Sequence, residues 1–384
     1  MKQIPMLNLK REYDYMKNEI DNSITKCLAH QQWILGPEVE ELENKIAHYL
    51  GTKHCIGVSS GTDALVLSLR AMAIKIKGQE YFNHKDEIIT TSFTFTATGD
   101  AILRARAKPV FIDINETTFN LDLSKVRAYL KNHTRMIGII PVHLFGQALD
   151  MDEMMAIAND FNMFVIEDVA QAFGGMWLNK KLGSFGATGA FSFFPSKNLG
   201  GYGNAGMIAT NEDMIADLIR MLIKHGGKDK YNVDHIGYNA AMDTLQAAVL
   251  LAKFKYINEF IERRRKIAEF YSKNLSGIKE IRLPQPLPKG YHTYHQYTIR
   301  VLNGKRDALQ KYLKEQGIAT MVYYPTPLHK MKVFDGKVKV VGEQKVAEKV
   351  CDEVLSLPIE PLLSDEELQL ITEKIKNFFK QHKP

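Results

Sequence analysis

Cysteine is scarce in this chain: three in 384 residues, at Cys27, Cys55 and Cys351. An odd count at wide spacing excludes a disulfide framework, and the spacing does not suggest a zinc site or any other metal centre. No uninterrupted apolar run reaches the roughly 18 to 20 residues that a bilayer span requires. The opening residues, MKQIPMLNLKREYDYM, are amphipathic and charged and lack an apolar signal core. These absences point to a soluble protein of a reducing, cytoplasmic compartment with no membrane partner. An excess of one charge is also missing: 50 Lys and Arg stand against 44 Asp and Glu, a formal net charge of +6. The densest run, Arg263-Arg264-Arg265-Lys266, sits in a helical pattern and reads as a solvated helix face. A nucleic-acid groove needs clustered Lys and Arg, so no nucleic-acid partner is expected and an anionic small molecule fits better.

What is present is an ordinary apolar content of 45%, enough for a sizeable core. Up to about residue 210 the pattern alternates. Apolar runs appear at HCIGV (54–58), EIITT (87–91), PVFID (109–113), MIGII (136–140), FVIED (164–168) and AFSFF (190–194). Helical patterns such as ALVLSLRAMAI (64–74) and MDEMMAIANDF (151–161) lie between most of them. This is the signature of βαβ units and a mainly parallel sheet covered on both faces. From Thr244 to Leu275 one long amphipathic stretch follows, then a breaker-rich PQPLPKG (284–290). Next come a strand-like HQYTIRV (295–301), a helix over Arg306–Gln316, a strand around Thr320–Tyr324 and a final helix from Asp365. The expected architecture is α/β: a large domain over 1–250 with an N-terminal helical segment, and a smaller α+β domain over 251–384 reached through a long helix.

Ligands of open α/β sheets bind beyond the carboxyl ends of the strands, so the residues after each run are the candidates. SSGTDAL (59–65) makes a turn into a helix starting near Asp63. It suits a phosphate, and equally an ordinary helix cap. In TTSFTFTATGDAI (90–102), Phe95 can stack on a flat ring or be buried in the core. In VIEDVAQAF (165–173), Asp168 ends an apolar strand, with Gln171 three residues on. A buried carboxylate there needs a cationic or N–H partner: a protonated ring nitrogen, an Arg or a helix N-terminus. In FSFFPSKNLGGYGNAG (191–206), Lys197 follows a strand end and precedes a glycine-rich loop. Apolar surroundings lower a lysine's pKa and expose neutral amine for condensation with a carbonyl; a surface lysine in a mobile loop is the plain alternative. Ser192 can add a hydroxyl to a phosphate cup. Together these stretches supply a phosphate turn, a stacking aromatic, a carboxylate and a lysine, the parts that hold pyridoxal 5′-phosphate.

With these motifs in order, the chain resembles the DegT-type (DegT/DnrJ/StrS) nucleotide-sugar aminotransferases, fold type I pyridoxal-phosphate enzymes. The resemblance spans nearly the whole length. WILGPEVEELE (33–43), SSGTDAL, TSFTFTATGDAI, PVHLFGQALDMD, VIEDVAQAFG, SFFPSKNLG, GYNAAMDTLQAAVL (237–250) and YYPTPLHK (323–330) fall in the family's order. It looks closest to the branch that aminates the 3-keto carbon of UDP- or dTDP-sugars, with amination at the 4-keto carbon as the alternative within the family. The resemblance implies L-glutamate as amino donor, a role in surface glycans such as the O-antigen of lipopolysaccharide, and a homodimer with shared active sites.

Carried residue by residue, it makes Lys197 the lysine that bonds the cofactor aldehyde and Asp168 the partner of the pyridine nitrogen. Gln171 approaches the ring hydroxyl; Gly61, Thr62 and Ser192 hold the phosphate; Phe95 stacks on the ring. Asn239 matches an asparagine that reaches the phosphate from the neighbouring subunit, and Tyr323, Tyr324 and His329 match the substrate side. Three positions depart from the pattern. Ala241 stands where many relatives carry arginine, which argues against a uronic acid; Tyr323 replaces a common histidine; Asn204 replaces a frequent acidic residue. His143 reads as a structural hydrogen-bonding residue. Lys197 argues against the family's sugar dehydratases, which carry histidine there. A nicotinamide enzyme lacks its G-x-G-x-x-G turn after the first strand. A pyridoxal-phosphate-binding regulator without turnover is the alternative from another functional class.

Overall fold

The computed structural model describes residues 3–133, 135–229 and 231–381. Strands run in chain order as β1 (His54–Val58), β2 (Glu87–Thr91), β3 (Lys108–Ile112), β4 (Met136–Ile139) and β5 (Phe164–Asp168). A short ribbon follows, β6 (Met176–Trp177) and β7 (Lys180–Lys181), then β8 (Thr188–Ser192) and β9 (Gly206–Thr210). Beyond them lie β10 (Ile281–Arg282), β11 (Gly290–Tyr291), β12 (Tyr297–Val301), β13 (Lys339–Val340) and β14 (Val354–Leu357). The main sheet has eight strands in the order β1-β9-β8-β5-β4-β2-β3-β13. Its pairs are parallel except at β9, which runs antiparallel to both β1 and β8. The expected α/β class with a mainly parallel, mixed sheet is what forms.

Side chains alternate along each strand, and here successive residues enter different cores. Cys55, Ile89, Val165, Phe191 and Met207 join one cluster; Ile56, Ile88, Ile166, Ala190 and Ile208 join the other. Helix Gly61–Lys77 covers the second face with Leu65, Leu69 and Met72, and helix Met151–Asp160 covers the first with Met154 and Ile157. A third cluster, with Tyr271, Tyr297, Leu355 and Phe378, forms around the antiparallel sheet β10-β12-β14. All three of its strands lie after residue 280, whereas β13 returns to the edge of the main sheet beside β3.

Several local expectations are corrected. The stretch Thr244–Leu275 is two helices, Thr244–Phe254 and Ile257–Leu275, with a break at Lys255-Tyr256. The first packs Ala247 and Leu250 into the main-sheet core; the second begins on the same core with Ile257 and Ile261 and then carries Ile267, Ala268 and Tyr271 into the third cluster. Thr320–Tyr324 forms no strand: only Met321 bridges to Ser356, and Tyr323 and Tyr324 turn toward a cavity. The strand expected at 190–194 begins two residues earlier, at Thr188, and Gly206, read as loop, starts β9. Arg264 is not solvated: it is buried and donates to Ile359 O at 2.9 Å.

The three cysteines are free and buried. Cys27, His30 and Glu38 bring donor atoms within 4.8 Å of one another. His30 Nδ1 accepts the Gln32 N–H at 3.1 Å, which leaves the ring proton on Nε2 for Glu38 at 3.0 Å, so His30 and Glu38 pair by hydrogen bonding. Among the described residues, no helix is long and apolar enough to cross a membrane.

Candidate active site

The carboxyl ends of β1, β2, β4, β5 and β8 open on one cavity of about 590 Å³. After β1, Ser60 caps helix Gly61–Lys77: its hydroxyl accepts the Asp63 N–H at 3.0 Å. The cap reading of SSGTDAL therefore holds. The same turn lines the cavity through Ser60, Gly61 and Thr62, with the N–H groups of the first helical turn lacking helical partners. Close packing requires the glycines here. A Cβ on Gly61 would stand 2.6 Å from Ser192 Cβ, and one on Gly206 would stand 2.4 Å from the Ser60 carbonyl carbon. Ser192, at the end of β8, reaches the cavity beside this turn.

Phe95 precedes helix Thr96–Arg104 and is 56% exposed, so it is a cavity wall and not core. One turn on, Thr98 donates its hydroxyl to Asp168 Oδ2 at 2.8 Å, and the Ala170 N–H donates to Oδ1 at 3.1 Å. Both donors are neutral. Burial pushes the Asp168 carboxyl upward, while Thr98, Ala170 and the nearby Lys197 pull the other way without cancelling it. Lys197 sits on the same wall, part of its side chain facing the cavity. Loss of hydration brings its amine down from 10.5 to about 8, against the upward pull of Asp168. Gln171 is held at both ends: Oε1 accepts the Phe145 N–H at 2.8 Å and Nε2 donates to Tyr324 Oη at 2.9 Å.

The structure thus brings Gly61, Thr62, Phe95, Asp168, Gln171, Ser192, Lys197, Tyr323 and Tyr324 to one cavity. It does not bring His329, which pairs with Glu348 at 3.0 Å outside the lining, nor Asn239, which is exposed on the surface of the same chain. His143 bonds Glu167 at 3.2 Å and takes no part in the lining. Sequence reading missed three contributors. Thr98 carried a signal, a hydroxyl one helical turn past Phe95 in a run rich in Thr. His295 and Gln296 carried none, because they enter from just before β12, a hundred residues on. His295 Nδ1 lies 3.3 Å from Asn198 Oδ1, and burial, with Lys197 and Arg264 nearby, keeps the imidazole neutral.

The comparisons with known proteins point to one family. A profile of the DegT/DnrJ/EryC1/StrS aminotransferase family matches residues 14–376. The chain belongs to that family. It is similar, at 44% identity over 98% of its length and 99% of the other's, to a "Pleiotropic regulatory protein" of Geobacillus stearothermophilus. At 38% identity, over 97% of each chain, it is similar to the UDP-N-acetyl-3-dehydro-alpha-D-glucosamine 3-aminotransferase of Acidithiobacillus ferrooxidans. Other relatives are named as transaminases of dTDP-linked 3-amino sugars. A solved structure of NtdA from Bacillus subtilis with bound cofactor PMP aligns with a TM-score of 0.89 at 31% identity, over 99% of this chain and 86% of that one. PMP is the amino form of pyridoxal phosphate, so this aminotransferase uses that cofactor.

The residues present fit it. A helix N-terminus walled by Gly61 and Ser192 suits a phosphate; a buried carboxylate with only neutral donors suits a protonated ring nitrogen; an amine near 8 suits an aldehyde.

Proposed function

We propose that this aminotransferase moves an amino group from L-glutamate to C3 of a nucleotide-linked 3-keto sugar, in the cytoplasm, for a surface glycan such as O-antigen. The observation that carries the reading is the meeting of Lys197, Asp168 and the Gly61–Thr62 helix start in one cavity. The 3-amino names of relatives favour C3 over C4. Lys197 is the only Lys or Arg in the lining of one chain among the described residues, which favours a sugar without a carboxylate.

In this reading Gly61, Thr62 and Ser192 bind the cofactor phosphate, Phe95 covers the ring, and Gln171 meets the ring hydroxyl through Nε2. The cofactor supplies an aldehyde that condenses with amines and a ring that accepts electron density. Asp168 stays ionised by holding the ring-nitrogen proton, the cation its buried site otherwise lacks. Lys197 Nζ would hold the cofactor aldehyde at rest and, as a free amine, would carry the α-proton of glutamate to the cofactor in one half-reaction and carry a proton from the cofactor to C3 of the sugar in the other. Tyr323 and Tyr324 wall the sugar side of the cavity. His329 stands behind that wall, where its bond to Glu348 supports the segment.

The active unit is a homodimer. Asn239 lies outside its own chain's cavity, and exposed Trp33, Ile34, Leu35, Phe194 and Ile236 offer apolar surface for a second copy to cover. Asn239 then reaches the partner's phosphate.

The test is spectroscopic and then preparative. Purified protein should be yellow, L-glutamate should bleach it, and a UDP- or dTDP-linked 3-keto sugar should restore the colour with release of the 3-amino sugar. Lys197→Ala should cut turnover by ~10⁴-fold or more, since it removes both the covalent anchor and the proton carrier. Preference for 4-keto sugars across a panel would overturn the C3 assignment. The name of the 44% identical relative speaks of regulation; a yellow protein that no amino donor bleaches would favour a regulator without turnover instead.

A further inference from the structure

Of the buried cations outside the cavity, Arg70 is the most deeply enclosed, and the chemistry above does not use it. Arg70 belongs to helix Gly61–Lys77, the helix whose first turn lines the cavity, and is fully buried. Its guanidinium makes four hydrogen bonds. Nη1 donates to Tyr238 Oη at 2.9 Å, Nη2 to Glu80 Oε2 at 2.6 Å and to Ile236 O at 2.9 Å, and Nε to Glu80 O. Its face lies 3.9 Å from the Tyr81 ring centre. Glu80 extends the grip: its carboxylate meets His235 Nδ1 at 2.7 Å and the Ile236 N–H at 3.2 Å. Arg70 and Glu80 therefore hold residues 235, 236 and 238, the segment that ends in Asn239.

The backbone also ties this segment to residues 222–226: the Tyr238 N–H donates to Leu222 O at 2.7 Å, the His225 N–H donates to Tyr238 O at 2.9 Å, and Lys224 bridges Asn239. At its base two backbone stretches cross: a Cβ on Gly226 would lie 1.8 Å from His235 O, and one on Gly237 would lie 2.0 Å from Gly226 N. The crossing sets how close the two arms of the loop come. To these backbone ties the Arg70 fork adds a link from the segment to helix Gly61–Lys77, through donors fixed in one plane.

We propose that Arg70 is a positioning residue for the partner's active site: by holding Ile236 and Tyr238 it aims Asn239 into the second copy's cofactor-phosphate site. One helix then serves two sites, its own through Gly61 and Thr62 and the partner's through Arg70. This rests on the dimer reading above, in which Asn239 acts across the interface.

The experiment uses full-length protein and pyridoxal phosphate as probe. Arg70→Lys and Tyr238→Phe homodimers should bind the cofactor more weakly, by roughly tenfold for the lost fork and roughly threefold for the lost hydroxyl. The decisive sample is a mixed dimer of one Lys197→Ala chain and one Arg70→Lys chain, made by co-expression with two tags. Only the Arg70→Lys chain retains Lys197, so borohydride fixes cofactor to that chain alone, and mass spectrometry of it against cofactor concentration reads that one site. Its neighbour supplies an intact Arg70, so labelling should follow the wild-type affinity. Labelling at the weak affinity of the Arg70→Lys homodimer would mean that Arg70 acts within its own chain, and would overturn the proposal. So would an Arg70→Lys homodimer of wild-type affinity alongside a weakened Asn239→Ala homodimer. An Asn239→Ala homodimer of unchanged affinity would instead remove the cross-interface reading itself. Tyr238→Phe keeps the ring and the packing, so it reports even where Arg70→Lys folds poorly.

Discussion

Two carboxylates sit side by side on β5, Glu167 and Asp168, both buried and facing opposite sides of the sheet. Glu167 is enclosed by donors: Gly183 N at 2.8 Å, Phe185 N at 2.7 Å, Gly186 N at 3.0 Å and His143 Nε2 at 3.2 Å. Asp168 has two donors, both neutral, and a cavity in front of it. Burial alone therefore does not separate the structural carboxylate from the functional one. What separates them is whether the protein itself completes the hydrogen bonding or leaves part of it for something that binds.

The largest effect that sharpens this contrast is expected at Asp168→Asn. Turnover should fall by ~10³-fold, the scale of a lost electrostatic partner at a reacting centre. The cofactor-free protein should be no less stable than wild type. Because burial raises the Asp168 carboxyl, the stability it contributes is present at low pH and lost as pH rises through its folded value, and asparagine removes that loss. Calorimetry of cofactor-free protein checks it; a large drop in Tm would place Asp168 with Glu167 as structural.

Lys197 probes the same pair from within the cavity. Below its value of about 8 the neutral amine gains tenfold per pH unit, so the rate of cofactor uptake should climb about as steeply and level off above that pH. In Asp168→Asn the inflection should move down, since the carboxylate pulls the lysine upward. A stopped-flow pH series in both proteins reads the difference.

Thr98→Val removes one of the two donors to Asp168. The acid limb of kcat/KM should move up by about one pH unit, with turnover at neutral pH reduced several-fold, on the scale of one hydrogen bond to a charged group. The smallest effect on chemistry belongs to Glu167→Gln: turnover per folded molecule within about twofold, with stability lowered by about 2–4 kcal/mol through mismatched N–H and imidazole partners. Urea titration and active-site counting separate the two, and a large loss of turnover at full stability would break the contrast.

The legibility of the molecule follows range in sequence. β1, β2 and β5 stand at the residues where the apolar runs end, because strands buried on both faces are written as continuous apolar segments. β9 was hidden because its residues follow directly on a glycine-rich loop and pair antiparallel with strands far away on both sides. The helix pattern over 244–275 concealed its break because apolar residues recur on both sides of Lys255-Tyr256, with Ala247, Leu250, Ile257 and Ile261 all packed in the main-sheet core. At the site, the lysine, the carboxylate, the glycine turn and the stacking aromatic were legible because each follows a strand end. His295 and Gln296 were not, since their place in the cavity depends on how a later element packs.

By itself the sequence determined the α/β alternation, the family and the order of strand-end residues that line the cavity. These are local matters: apolar period, turn chemistry and residue type are written within a few positions of one another. Only the tertiary structure decided that Asp168 is left with neutral donors while Glu167 is saturated, that Phe95 is wall and not core, and that Arg70 grips the Asn239 segment. Those outcomes depend on which groups meet across the fold, and hydrogen-bond completion and desolvation exist only once the distant partners are in place.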